Sequence, residues 1–249
     1  MAGIRHLTKA PVIEAILGFQ VDVSRPWDSQ DVRAGLVEHF PDYPEIQEQR
    51  MLESHLSVVP GKPPESKIQL HPIGTYLLHR PDRTSAVQIR RDGFAFSQLQ
   101  PYPGWDLFIE AALAQWQAFR GWFGVEEPYT VFVRFINRLS YPTDGFRLSH
   151  HFEHPPAPPE HSDWGFKLFR EHHVYALKDD SFTIESIFSR EPDGNSSRTA
   201  EFLLDLTISP THPFAEMETS LDELLATMRS LKNTAFFSKF TQNGLAPYL

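Results

Sequence analysis

The sequence predicts an α+β protein in which two antiparallel β-meander halves, each backed by one long amphipathic helix, pack as one compact unit. Three observations carry this reading. Several segments alternate apolar and polar residues, as half-buried strands do. Two stretches repeat apolar residues at helical spacing. An Asp-Gly pair, Asp92-Gly93, joins two alternating segments in the manner of a tight hairpin. An antiparallel sheet with one wet face places its helices on the other, which gives the layered α+β layout.

The elements follow in order. In "VIEAILGFQVDV" (12–23), Ile13, Ala15, Leu17, Phe19, Val21 and Val23 fall on one face of a strand. Val32, Leu36 and Phe40 then recur at helical spacing until Pro41 stops the helix. "PGKPPES" (60–66) reads as a loop, and "SKIQLHPI", "TYLLHR" and "SAVQIRR" as three strands, the last turning at Asp92-Gly93 into "FAFSQL". From Trp105, apolar residues at Phe108, Ile109, Ala112, Leu113, Trp116, Phe119 and Trp122 define a helix of about five turns. Of Trp122 and Phe123 at its end, one should face solvent or a partner. "TVFVRFINRLSY" (130–141) is a long strand with Val131, Val133, Phe135, Asn137, Leu139 and Tyr141 on one face and Phe132, Arg134, Ile136 and Arg138 on the other.

Residues 146–162 form a Pro/His-rich crossover between an N-terminal half (1–145) and a C-terminal half (163–249). Its "HPPAPPEH" cannot be a helix interior or a central strand, because proline lacks the N–H that either needs. Beyond it, "WGFKLFREHHVYALK", "SFTIESIFS" and "TAEFLLDLTIS" are strands, with "EPDGNSS" as a hairpin loop. Leu221, Leu224, Leu225, Met228 and Leu231 mark the second long helix, with Ser220 as its N-cap.

The net charge of −9 over 249 residues argues against nonspecific nucleic-acid binding, which needs phosphate-neutralising Lys and Arg. A nucleic-acid reading would use Arg90, Arg91, Lys232 and Lys239, and it ranks last. With no cysteine, disulfides, thiolate zinc sites and thiol nucleophiles are excluded. The N-terminal segment does not read as a signal peptide, and no stretch of about 18 uninterrupted apolar residues marks a membrane span. A cytoplasmic protein is the expectation.

Half of the twelve histidines lie between His150 and His173, which raises a metal site. Residues four apart on a strand are roughly 13 Å apart, too far to share one ion unaided. The set that survives is His151 and Glu153 on one strand face, with His154 or His161 joining from the loop and Glu160 as base. A divalent metal is expected only in that case, and no other cofactor. The competing explanation, a solvated linker, leads.

No Gly-x-Ser-x-Gly elbow, Walker A loop or Gly-x-Gly-x-x-Gly occurs. Arg134 and Arg138 share a strand face as candidate anion ligands, or they pair with carboxylates such as Asp106 or Glu110. Trp105 and Trp116 fit the buried stripe of their helix. If a ligand pocket exists between sheet and helix, Tyr102, Trp105, Arg134, Asn137 and Arg138 are the residues to line it.

"KAPVIEAI", "GFAFSQLQPYPGW", "VRFINRL" and "LKNTAFFSKFT" together resemble a sporadically distributed bacterial family of about this length, in the expected order along nearly the whole chain. That family has no agreed activity or catalytic residues. Its patchy distribution associates it with accessory and defence-type modules. The expectation is a non-enzymatic binding protein with a protein partner or small ligand, compatible with a homodimer. The alternative is a metal-dependent hydrolase built on the 150–161 cluster.

Overall fold

The computed structural model describes residues 7–23, 26–57, 65–157, 166–190 and 198–249, and of residues 51–56 and 65–72 the backbone alone. Among these, nine strands form one antiparallel sheet. They are β1 (Val12–Gln20), β2 (Glu45–Ser57), β3 (Glu65–His79), β4 (Ser85–Arg90), β5 (Gly93–Leu99), β6 (Thr130–Pro142), β7 (Phe169–Ala176), β8 (Phe182–Arg190) and β9 (Thr199–Pro210). The order across the sheet is β2-β3-β4-β5-β1-β6-β9-β8-β7. The helices are α1 (Ser29–His39), α2 (Trp105–Phe123), α3 (Leu148–His151), α4 (Leu221–Phe237) and α5 (Gln242–Leu245).

The sheet runs without a break across the expected boundary at 146–162, because β6 pairs with β9 from Val133–Ile208 to Pro142–Thr199. α2 packs on β5 and β1, and α4 on β9 and β8, all against the same face. Strict alternation in β6 and β9 reflects this: inward residues are buried, and their neighbours stay partly exposed on the uncovered face. Every second residue therefore reads its face from the sequence, and both faces of β6 are as expected.

The helix termini follow local chemistry. The Asp28 carboxylate accepts from the N–H groups of Gln30 and Asp31 at the start of α1. Ser220 and Glu223 form a reciprocal capping box on α4. α2 buries Phe108, Ala112, Trp116, Phe119 and Phe123 at steps of three or four residues and ends at Gly124, whose φ of 68° places it in the left-handed region. Its Trp116 ring stacks on Phe19 of β1 at 4.0 Å and 5°. Of the pair at the end of α2, Phe123 is buried, and Trp122 lies half-buried on α1 with its ring 4.7 Å from His39.

Some expectations change. β2 carries no alternating apolar pattern, being an edge strand, and does not show in the sequence. The segments 66–73 and 75–80 join, up to His79, in one strand, β3, whose ladder with β2 is irregular where Arg50 meets Ile73. Val12 is buried where the alternation predicts Ile13, because the register of β1 against β6 shifts between Val12 and Glu14. Of the loop expected at 60–66, residues 60–64 lie outside the described residues and Glu65 and Ser66 instead begin β3; the loop at 191–197 also lies outside the described residues.

The crossover is not merely a solvated linker. Phe152 is fully buried, 4.8 Å from the Phe188 ring and 5.2 Å from Phe202, and it forms a β-bridge with Phe240. Backbone bonds from Glu153 N–H to Lys239 O (3.0 Å) and from Thr241 N–H to His151 O (3.1 Å) fasten the same segment to the C-terminal part. No helix among the described residues is long and apolar enough to cross a membrane.

Candidate functional site

β6 sends its polar side chains to two different concavities, one on each face of the sheet. On the uncovered face a basin of about 590 Å³ is floored by Phe132, Arg134, Ile187, Asp205 and Thr207. Arg134 is already engaged there: Nε and Nη2 donate to the Asp205 carboxylate at 2.9 and 2.6 Å, a two-pronged pair. That hydrogen bond, ahead of the cost of burial, holds the guanidinium above its ordinary pKa. The partner of Arg134 is therefore Asp205, not Asp106 or Glu110; Asp106 pairs with Arg229 at 2.9 Å. Arg138 is exposed on this same uncovered face.

On the helix face a narrower crevice of about 130 Å³ opens between the start of α2, the middle of β6 and α4. Three of the five residues expected to line a pocket meet here: Tyr102, Trp105 and Asn137. Arg134 and Arg138 do not, because strand alternation turns them to the opposite face. The walls are aromatic. Trp105 lies nearly parallel to Phe135 (6.0 Å, 14°), and Tyr102 meets Phe135 edge-on (5.8 Å, 86°). Burial pushes the Tyr102 phenol upward, so it stays a neutral hydroxyl in ordinary conditions. Asn137 is buried and its Nδ2 donates to the carbonyls of Phe135 (3.2 Å) and Leu204 (3.0 Å). Those two bonds fix the orientation of the amide, which forms part of the crevice wall.

The cations of the crevice come from α4; the sequence offers Lys232 only as a nucleic-acid contact, and Arg229 not at all. Lys232 Nζ lies 4.6 Å from the centre of the Phe135 ring and 5.8 Å from Trp105, and the Arg229 guanidinium lies 5.7 Å from Trp105. Among the described residues Lys232 has no carboxylate within salt-bridge distance. Burial first, and then the neighbouring Arg229, push its ammonium down to about 8. A signal for it existed: Leu224, Met228 and Phe236 step along α4 by four or eight residues, and Lys232 occupies the missing step. A charge on the apolar stripe of a helix is expensive unless it does something there.

The remaining candidates are dispersed. His151 ends α3, where its ring stacks on Phe146 (4.7 Å, 22°) and its Nδ1 meets the Arg147 carbonyl at 3.0 Å. It is thus on a helical turn and not on a strand face with Glu153; Glu153 and His154 are exposed. His161 and Glu160 lie outside the described residues. Among the described residues no three His, Asp or Glu side chains are grouped as metal ligands. Arg90 and Arg91, at the end of β4, are far in the fold from Lys232 and Lys239 of the α4 region, and Lys239 instead spans Phe188 and Glu171 (4.8 and 3.9 Å).

No protein-family model and no curated protein matches this chain.

Proposed function

We propose that the protein is a non-enzymatic binding protein that captures a small ligand in the crevice between α2, α4 and β6. The observation that carries this is the convergence of Tyr102, Trp105 and Asn137 around an opening in a layer that is otherwise tightly packed with aromatic rings. Half-buried aromatic walls supply contact area, and the Asn137 amide supplies direction. The sheet reads as two meanders joined at β6–β9, each with its long helix, and the crevice lies at the seam where Arg229 of α4 reaches Asp106 of α2. A cytoplasmic role in an accessory or defence-type module, with a protein partner reading the ligand state, fits this arrangement, and so does a homodimer.

The test is a screen of small organic molecules by ligand-observed NMR, followed by indole N–H spectra of the labelled protein. Binders that perturb the Trp105 indole and lose affinity in Trp105→Ala support the proposal. A screen whose binders all leave Trp105 unperturbed, or one that yields no binder at millimolar concentration, overturns it.

A further inference from the structure

Resting on the reading of the crevice as a ligand site, we infer that its ligand is a small aromatic carboxylate, its anionic group neutralising Lys232 and its ring lying against Trp105. Three features of the crevice lead here. Lys232 brings an ammonium to the face of Phe135, 4.6 Å from the ring centre, with no acidic partner among the described residues. The nearest charged neighbour is a second cation, Arg229, whose own carboxylate, Asp106, is exposed and points the balance outward. On the far side of Tyr102 the crevice continues into a shallow recess bordered by Lys9, a third cation.

Two cations in a partly desolvated aromatic niche repel each other and are poorly solvated; an anion between them removes both penalties at once. Ring faces stabilise a cation but offer no hydrogen-bond acceptor to the ammonium's three donors, so those donors are available to a carboxylate. The crevice proper, about 130 Å³, suits a body of one ring, and a larger ligand must extend into the adjoining recess. Trp105 is partly exposed and lines the crevice beside the buried Phe135, so its indole edge or face can contact a ligand ring. In the basin on the other face Arg134 already has Asp205, so no comparable demand for an anion exists there.

The probe is benzoate, titrated by NMR and calorimetry into the full-length protein, beside neutral benzamide and inorganic phosphate. Benzoate is expected to bind about tenfold or more tightly than benzamide, to perturb the Trp105 indole, and to lose that advantage in Lys232→Met while keeping it in Arg138→Ala. Arg229→Gln should weaken benzoate by a smaller factor. Titration near pH 10, where Lys232 is neutral while the buried Tyr102 phenol keeps its proton, should abolish the benzoate preference. Equal binding of benzoate and benzamide at Trp105 overturns the anion inference and leaves the crevice a ligand site. Phosphate binding without benzoate binding overturns the aromatic-carboxylate assignment. No perturbation of Trp105 by either organic probe overturns the inference, and the wider screen then decides the crevice itself.

Discussion

Replacing Lys232 with methionine should make the protein more stable, which is the reverse of the usual effect of altering a half-buried residue. Holding the ammonium near 8 when its ordinary value is 10.5 corresponds to roughly 3 kcal/mol, at about 1.36 kcal/mol per pH unit. The side chain keeps a path to solvent at the crevice mouth, which cuts that figure to about 1.5 kcal/mol. The ring contacts of Lys232 with Phe135 and Trp105 oppose it by about 0.5 kcal/mol. A methionine side chain would fill the same volume without charge, so a net gain of about 1 kcal/mol follows. The pH dependence has a definite sign. Below about 8 both folded and unfolded chains carry the proton and the full cost is felt; between about 8 and 10.5 the unfolded chain binds more protons, so stability rises with pH across that window. Urea unfolding followed by circular dichroism at about pH 7 and about pH 10 measures both effects. A Lys232→Met protein that is less stable than the parent near pH 7, or one that keeps the parent's upward slope between the two pH values, would refute the reasoning.

Other perturbations test the rest of the architecture. Phe152→Ala empties a site packed by Phe188, Phe202 and Phe240 and should cost about 3–5 kcal/mol in thermal or chemical unfolding; a loss under about 1 kcal/mol would show the crossover is not pinned there. Gly244→Ala places a methyl group 2.0 Å from the His151 carbonyl oxygen, a backbone atom, so α3 and α5 must separate; we expect a loss of about 2 kcal/mol or more, with faster amide exchange at Phe152. A double-mutant cycle on Arg134→Ala and Asp205→Ala should return a coupling of about 1–3 kcal/mol, shrinking little with salt because Asp205 is mostly buried; a coupling indistinguishable from zero would mean the pair is only a loose contact of surface charges.

The elements with strong periodicity are legible in the sequence. β6 announces both of its faces because each buried residue alternates with a more exposed one, and α2 and α4 announce their stripes and the Ser220 cap in the same way. β2 does not, since an edge strand with an exposed face needs no apolar alternation and instead carries charge. The short helices α3 and α5 are hidden for another reason: each is a single turn held by a tertiary partner, through Phe152–Phe240 and through Tyr141 OH donating to the Gly244 carbonyl at 2.9 Å. At the site, alternation alone separates Asn137 from Arg134 and Arg138, so the sequence could have divided the five candidates between the two faces. The aromatic and amide lining is readable. What escapes is the contribution of α4, since pairing α4 with α2 across β6 depends on the order in which distant strands join the sheet. Lys232 on the apolar stripe is nonetheless visible as an anomaly in the helical pattern.

The first strand of the chain stands at the middle of the sheet. Leu17 is flanked by Phe96 on one side and Val133 on the other, so neither neighbour exists when β1 leaves the ribosome. A nascent chain that has reached Leu99 can close one edge of β1 by pairing it with β5, but the opposite edge, with Leu17 and Phe19 beside it, stays bare until Thr130–Pro142 has been synthesised. Such long-range closure is slow, and it leaves a sticky template in the meantime. Vectorial synthesis therefore gives this protein a period of vulnerability to self-association and a natural point for a chaperone to hold the emerging N-terminal segment.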